Sequence, residues 1–189
     1  HYHRAYKSTY EHECLRQSNI LSVKAHKAAR DAFFLGQSEF EIQQAYLTSI
    51  GYSTNDTPYG NIIALNKNCS ILHYTALDKL PPQAHKSFLI DAGANFNGYA
   101  SDITRTYAFK KDKFSDLIPR IVQLMLAAVE GLKPGVSYAD LHVQTYRAIG
   151  GVLKEFGFIN VDADTAVESG IISTFFPHGL GHHLGLQVH

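Results

Sequence analysis

The chain has little cysteine, no excess of either charge and no long apolar run, and each absence excludes a class of protein. Two cysteines, Cys14 and Cys69, are too few for a disulfide scaffold, which favours a reducing compartment such as the cytoplasm. Lys and Arg number 17, as do Asp and Glu, and no basic run is interleaved with aromatic residues, so we expect no nucleic-acid partner. No apolar run approaches the roughly 18–20 residues of a membrane span, and the N-terminus lacks the apolar segment of a signal peptide, so we expect no membrane partner.

The composition is that of a globular protein of one domain. The chain has 189 residues, of which 45% are apolar and 18% charged, and this is enough to bury a core. Eleven residues are histidine, which points to metal binding or acid–base chemistry. Because the chain does not begin with Met, we expect it to be an excerpt of a longer protein.

Apolar residues recur at helical spacing in five segments. Ser38 and Glu41 form a capping box at the start of the second segment, and Ser137 with Asp140 caps the fourth. Pro119, in the third segment, is tolerable only if it lies in the first turn of the helix. The predicted helices cover residues 8–34, 38–50, 114–132, 137–156 and 162–168.

Short runs rich in β-branched and aromatic residues occupy the middle of the chain. Asn97-Gly98 is the strongest hairpin signal in the sequence, and it joins a strand over 88–92 to one over 99–109. Further strands are predicted over 59–65 and 70–74. The sequence therefore predicts an α+β domain, with helices and a mostly antiparallel sheet in separate blocks.

Two carboxylates, Asp91 and Asp102, lie on the predicted hairpin, in strand positions where Asp is normally disfavoured. A turn at Asn97-Gly98 places Asp91 opposite Thr104, whereas a turn one residue earlier places the two carboxylates directly opposite each other. Both registers keep them on one face, with Cβ atoms roughly 5–8 Å apart. Carboxylates this close repel each other unless a proton or a cation intervenes, so the hairpin is a candidate metal site.

The C-terminal tract is rich in histidine and glycine. Four imidazoles lie within twelve residues, interleaved with glycines that allow tight backbone approach. Neutral imidazole is a common ligand of Mn, Zn, Fe and Co, so we expect at least one of the four to be functional. The four are His178, His182, His183 and His189.

Each group also has a purely structural interpretation. Asp102 could pair with Arg105 or Lys110, and the histidine tract could be a surface cluster that merely titrates. His73 is a lone imidazole in an apolar predicted strand, where a hydrogen-bonded core residue is the usual finding. Three further histidines lie on predicted helices and are expected to be surface or packing residues: His12, His26 and His142.

Several of these motifs together resemble the pita-bread metallopeptidases, the family of methionine aminopeptidase, aminopeptidase P and prolidase. They are residues 72–75 (Leu-His-Tyr-Thr), 89–93 (Leu-Ile-Asp-Ala-Gly), 102–106 (Asp-Ile-Thr-Arg-Thr) and 178–182 (His-Gly-Leu-Gly-His). Residues 57–66 and 184–189 are most similar to those of bacterial Xaa-Pro dipeptidases (prolidases), including organophosphorus acid anhydrolases. The resemblance covers essentially the whole chain and implies a pita-bread fold.

The resemblance also implies a cofactor and a mechanism. The family holds two metal ions, usually Mn(II) with Co, Zn or Fe as substitutes, on two Asp, one His and two Glu. The matching metal ligands here are Asp91, Asp102 as the bridging carboxylate, and His182. A hydroxide that bridges the metals attacks the scissile carbonyl, because two metals lower its pKa.

The same resemblance assigns a substrate site for Xaa-Pro dipeptides. His73, His178 and His189 would bind the peptide carboxylate and stabilise the tetrahedral intermediate as catalytic residues. Tyr59, Leu72 and Val188 would shape the side-chain pockets. The implied activity is Mn-dependent dipeptide hydrolysis by a homodimeric parent protein, with side activity on organophosphates.

The resemblance implies two departures from the family. We expect the family's two glutamate ligands to lie beyond the position of His189, and its N-terminal domain to lie outside residues 1–189. We therefore expect residues 1–189 to be an incomplete catalytic domain, inactive alone. Two alternatives remain open: a non-catalytic pita-bread module that binds peptides or proteins, and an exopeptidase similar to aminopeptidase P.

Overall fold

The computed structural model describes residues 2–188, without the side chains of Tyr2 and His3. The predicted role of His189 therefore lies outside the described residues. The chain divides into two compact units: Lys111–His182 forms one, and the residues before and after it form the other. The prediction that residues 1–189 are part of one catalytic domain stays a prediction.

Two long helices open the first unit, after a short helix α1 (Tyr2–Ala5). Helix α2 spans Thr9–Phe34 and helix α3 spans Glu39–Ile50. Each begins with a capping box, which has two reciprocal hydrogen bonds. The serine hydroxyl accepts from the backbone N–H of the glutamate three residues later, and the carboxylate of that glutamate accepts from the serine N–H. Both helices confirm the sequence prediction to within a residue or two.

Three antiparallel strands form the sheet of this unit. Strands β1 (Ile62–Leu65), β2 (Ser87–Ala92) and β5 (Ile103–Ala108) lie in the order β1-β2-β5. Between β2 and β5, two short strands, β3 (Asn95–Phe96) and β4 (Tyr99–Ala100), pair with each other around the Asn97-Gly98 turn. The sheet confirms the predicted α+β class with antiparallel pairing.

The core of the first unit lies between α2, α3 and one face of the sheet. Phe33, Ile42 and Tyr46 of the helices are fully buried there. Along β2 burial alternates, so that Phe88 and Ile90 enter this core. Because successive strand residues point to opposite faces, Asp91 lies on the other face of the sheet.

Two strand predictions need correction. Residues 70–74 form no strand. The chain before them turns through a 3-10 helix (Asn66–Ser70), and His73 has a φ of +53°, which a strand cannot contain. Asn66, at the start of the 3-10 helix, also has a positive φ, of +54°. The predicted strand over 99–109 is interrupted between β4 and β5, where Ser101 turns its hydroxyl inward to bond with Ala94. The predicted strand over 59–65 is shorter than expected, and a 3-10 helix (Thr54–Asp56) lies in the loop before it.

The second unit is helical. Its elements are α4 (Lys113–Gly131), α5 (Tyr138–Glu155), α6 (Ala163–Glu168) and α7 (Ile171–Phe175). Pro119 lies beyond the first turn of α4, contrary to the expectation. The helix, which is exposed, continues through this position although proline has no N–H to donate to the helix backbone. Among residues 2–188, no helix is both long and apolar enough to cross a membrane.

Candidate metal centre

Three side chains of the first unit meet on the hairpin. The hydroxyl of Tyr59 donates to Oδ1 of Asp91 at 2.8 Å and is 2.9 Å from Oδ1 of Asp102. All three side chains are partly buried. The structure therefore brings together the two carboxylates that the sequence places on one face, and adds a tyrosine predicted only for a substrate pocket.

The hairpin turn decides between the two registers that the sequence leaves open. Asn97 and Gly98 both have positive φ, +51° and +84°, as a two-residue type I′ turn requires. Asp91 accordingly pairs with Thr104, and Asp102 lies diagonally across from it. The register with the turn at Asn97-Gly98 is confirmed.

The surroundings of the pair favour a cation between the carboxylates. Burial raises the pKa of Asp91 above its ordinary value, and the nearby charge of Asp102 adds to the rise. Burial, together with both carboxylates, also raises the pKa of Tyr59 far above that of a free tyrosine, so the phenol stays protonated and donates. Two half-buried carboxylates thus share one neutral donor, and oxygen ligands of this kind suit hard divalent cations.

The pair does not complete a metal site alone. Among residues 2–188, no group of three or more His, Cys, Asp or Glu side chains is placed to hold a metal ion. The residues fit a divalent metal as a partial ligand set: two carboxylates that share the hydroxyl of Tyr59 as a donor. Further ligands are needed, as most metal sites have at least four.

Gly93 allows the parts of the centre to approach each other. A Cβ atom at this position would lie 2.1 Å from the carbonyl oxygen of Ser101 and 2.8 Å from the ring of Tyr59. No side chain fits there, since real Cβ atoms do not approach so closely. Glycine therefore lets the backbone near Asp91, the backbone before Asp102 and the ring of Tyr59 pack together.

Tyr59 and Val188 line one cavity of about 370 Å³ in the first unit. The segment that carries Val188 is tied to the hairpin, because Ala100 N–H donates to the carbonyl of Gly185 at 3.0 Å. The guanidinium of Arg4 donates to the carbonyl of Gln187 at 2.8 Å. Two of the three predicted pocket residues therefore share a cavity, and their role in substrate binding stays a prediction.

Leu72 and His73 lie in the irregular segment after the 3-10 helix, and both are exposed. His73 is therefore not a buried strand residue, which corrects that interpretation. A buried carboxylate holds the segment: Glu39, at the start of α3, is 1% exposed and accepts four hydrogen bonds. Its donors are Leu65 N–H, Asn68 Nδ2, Tyr74 O–H and Asp78 N–H, at 2.6–2.9 Å.

The histidine tract is divided between the two units. His178 and His182 lie in the second unit, exposed, in an irregular stretch after α7, whereas Asp91 and Asp102 lie in the first. His183 begins the segment that returns to the first unit, where its carbonyl accepts from Arg4 at 3.1 Å. The ligand role of His182 and the substrate roles of His73 and His178 stay predictions.

Sequence reasoning missed a set of buried polar residues beneath the hairpin. Ser18, Ser22 and His26 of α2 are at most 5% exposed, and Ser101, next to Asp102, is fully buried. The sequence predicts that His26 is a surface or packing residue. It does pack against Tyr46, but it also bonds to the backbone beside Asp91. A signal was available, since the three α2 residues are spaced four apart and so share one helix face.

The sequence profile of metallopeptidase family M24 matches residues 13–189. The chain belongs to this family. It is 79% identical over 189 residues to the Xaa-Pro dipeptidase of Colwellia psychrerythraea and 58% identical over 190 residues to that of Pseudoalteromonas translucida. The match covers 100% of this chain but 43% of each relative, so the chain spans less than half of their length.

Solved structures agree with the family assignment. Zn-substituted aminopeptidase P of Escherichia coli in complex with product superposes with a TM-score of 0.88 at 27% identity, and the low-pH form of the same enzyme gives the same values. Each match covers 98% of this chain and 43% of the other. The M24 chain therefore has the pita-bread fold of these enzymes, as far as its residues extend, and the fold prediction is confirmed.

Proposed function

We propose that the intact M24 protein hydrolyses Xaa-Pro dipeptides and that Asp91 and Asp102 supply carboxylate ligands for its divalent metals. The observation that carries the proposal is the half-buried carboxylate pair around the single hydroxyl of Tyr59. Such a pair is costly unless a proton or a cation lies between its charges. The names of the relatives, with 79% and 58% identity, support the choice of substrate class.

The proposed ligand set adds His182 to Asp91 and Asp102; together these residues would hold two Mn(II) ions, for which Co, Zn or Fe can substitute. When bound, such a metal pair supplies a Lewis acid and activates water at neutral pH. Asp91 and Asp102 would supply their carboxylate oxygens to these ions from one face of the hairpin. Tyr59 keeps its proton on the phenolic oxygen and orients both carboxylates through its hydrogen bonds.

The remaining site residues are proposed to receive the substrate. Tyr59 and Val188, which line the same cavity, and Leu72 would enclose the dipeptide side chains. His73, His178 and His189 would bind the peptide carboxylate and donate to the oxygen that becomes negative during attack. The proposal includes a homodimer in the cytoplasm. It also includes side activity on organophosphates, because water activated by the metals would attack tetrahedral phosphorus as well as a peptide carbonyl.

One alternative activity has specific support, since aminopeptidase P superposes on the chain with a TM-score of 0.88. An aminopeptidase removes the first residue of a longer peptide, whereas a dipeptidase cleaves a peptide of two residues. The substrate length therefore separates the two activities. A non-catalytic peptide-binding module would cleave neither peptide.

The test uses the intact protein, stripped of metal and then assayed with and without added Mn(II). We expect hydrolysis of Gly-Pro only with the metal, and little hydrolysis of a Gly-Pro-Ala tripeptide. Preferred cleavage of the tripeptide would favour the aminopeptidase P activity. The absence of cleavage of both peptides, with folded protein and excess Mn(II), would contradict the proposal.

A further inference from the structure

A stripe of polar side chains on α2 runs through the core of the first unit. Ser18 and Ser22 are 0% exposed and His26 is 5% exposed, and the spacing of four residues places them on one face of the helix. They lie among the alanines and aromatic residues with which α2 otherwise packs. We call Ser18, Ser22 and His26 the α2 polar stripe.

The stripe holds the backbone directly after Asp91. Nε2 of His26 lies 3.1 Å from the carbonyl oxygen of Ala92, and the hydroxyl of Ser22 lies 3.4 Å from the same oxygen. Because a carbonyl only accepts, Nε2 carries the proton of the neutral imidazole. The last residue of β2 is thereby fixed to the helix.

The backbone of α2 at Ser18 also holds the chain directly before Asp102. The hydroxyl of Ser101 accepts from Ala94 N–H at 2.9 Å and lies 3.2 Å from the carbonyl oxygen of Ser18. Ser101 N–H donates to the carbonyl of Ala94 at 2.9 Å. Ser101 therefore joins α2 to both arms of the hairpin at the point where β4 and β5 are interrupted.

We propose that His26 and Ser101 are positioning residues that set the separation of Asp91 and Asp102 for the metal pair. The inference rests on the proposed metal site but adds residues that touch neither metal nor substrate. Both anchors lead to one rigid helix, so a change at either would move one carboxylate relative to the other. Residues that orient ligands in this way influence metal affinity strongly.

The burial of His26 supports a positioning role. Its Nδ1 is buried and finds no hydrogen-bond partner among residues 2–188. A buried polar atom without a partner destabilises the fold, so an apolar side chain would suit this core better. An apolar side chain would, however, lose the hydrogen bond from Nε2 to the carbonyl of Ala92. This bond is therefore the contribution of the histidine at this position.

The test measures Mn(II) affinity of the metal-free intact protein by calorimetric titration, together with the melting temperature. His26→Leu removes the donor, and His26→Gln restores an amide N–H near the position of Nε2. His85→Leu is the matched control, because Nε2 of His85 also bonds to a backbone carbonyl, that of Gln37 at 2.9 Å, away from the hairpin. Ser101→Ala tests the second anchor.

We expect His26→Leu and Ser101→Ala to weaken Mn(II) binding by about 10–100-fold. His26→Gln should stay within about threefold of the wild type, and His85→Leu should lower the melting temperature without changing the affinity. Wild-type affinity in Ser101→Ala and in folded His26→Leu would overturn the positioning roles, as would an equal loss of affinity in His85→Leu. A wild-type protein that takes up no Mn(II) would instead contradict the proposed function.

Discussion

Gly93 and Ser101 pack so closely that a Cβ atom on Gly93 would lie 2.1 Å from the carbonyl oxygen of Ser101. The two residues lie on opposite arms of the hairpin: Gly93 is two residues after Asp91, and Ser101 directly precedes Asp102. Their contact therefore controls how close the two arms come. Gly93 also leaves space for the ring of Tyr59.

The substitution Gly93→Ala should damage both the fold and the metal centre. Overpacking of this kind costs about 1–3 kcal/mol of unfolding free energy, and a misplacement of about 1 Å can lower kcat/KM about 100-fold. Denaturant unfolding and Gly-Pro hydrolysis measure the two effects. Gly60→Ala is the control, because a Cβ there would meet nothing within 4 Å. Equal behaviour of the two variants would contradict the role of Gly93.

The substitution Tyr59→Phe should destabilise the metal-free protein more than the metal-bound protein. It removes a donor that the two carboxylates share and costs about 1–3 kcal/mol without metal. Saturating Mn(II) should restore most of the loss, because the cation then neutralises the pair. Melting temperatures with and without Mn(II) measure this recovery.

The control for Tyr59→Phe is Tyr146→Phe, which removes a bond of 2.9 Å to the carbonyl of Phe176 in the second unit. Its loss of stability should be the same with and without Mn(II). If Mn(II) failed to restore Tyr59→Phe, the carboxylates would not be the metal ligands.

Protonation of His26 should weaken the fold in mild acid. Burial lowers the pKa of His26 below the 6.5 of a free histidine, and the charge of Arg105 on β5 lowers it further, while Tyr46 of α3 packs against the ring. As the pH falls below 6.5, the unfolded chain binds a proton that the folded chain does not. Stability from this residue is therefore complete above pH 6.5 and is lost as the pH falls towards the folded-state pKa.

The measurement compares unfolding free energies at pH 7.5 and pH 5.5 for the wild type and His26→Gln. The difference between the two pH values should be smaller in His26→Gln, since glutamine does not titrate. An unchanged difference would show that other groups cause the acid sensitivity.

Glu39 should be essential for the segment that carries Leu72 and His73. Glu39→Gln replaces one acceptor oxygen by an NH₂ group that faces the existing donors, which costs about 3 kcal/mol. Amide hydrogen exchange over residues 66–78 should accelerate most. Glu13→Gln, on the exposed surface of α2, is the control. It should change neither the unfolding free energy nor the amide exchange of residues 66–78. Unchanged exchange in Glu39→Gln would mean that other contacts order the segment.

Local signals made much of the fold predictable. The capping boxes at Ser8 and Ser38 each involve residues three apart, so the helix starts could be found from neighbouring letters. The Asn97-Gly98 pair predicted the hairpin, and the structure decided its register through the positive φ of both residues. That the two carboxylates share a face could be predicted without the register, because both candidate registers keep them there.

Long-range contacts account for what could not be predicted. Residues 70–74 look like a strand, yet Tyr74 bonds to Glu39, 35 residues away. The α2 polar stripe carries serine and histidine, which helical periodicity assigns to solvent. Contacts with distant residues account for the burial of two of them, since His26 bonds to Ala92 and the Ser22 hydroxyl lies near Tyr46 and Ala92. The histidine tract has no regular period, so the sequence could not show that His178 and His182 fall in a different unit from the carboxylates.

The most direct test of the central claim is Mn(II) binding at equilibrium by the intact protein and by Asp91→Asn and Asp102→Asn. Asparagine keeps the size of the side chain and removes its charge. We predict that the wild type binds two Mn(II) ions and that each variant loses tight binding together with Gly-Pro hydrolysis. Wild-type stoichiometry and affinity in either variant would contradict the assignment of that carboxylate as a metal ligand.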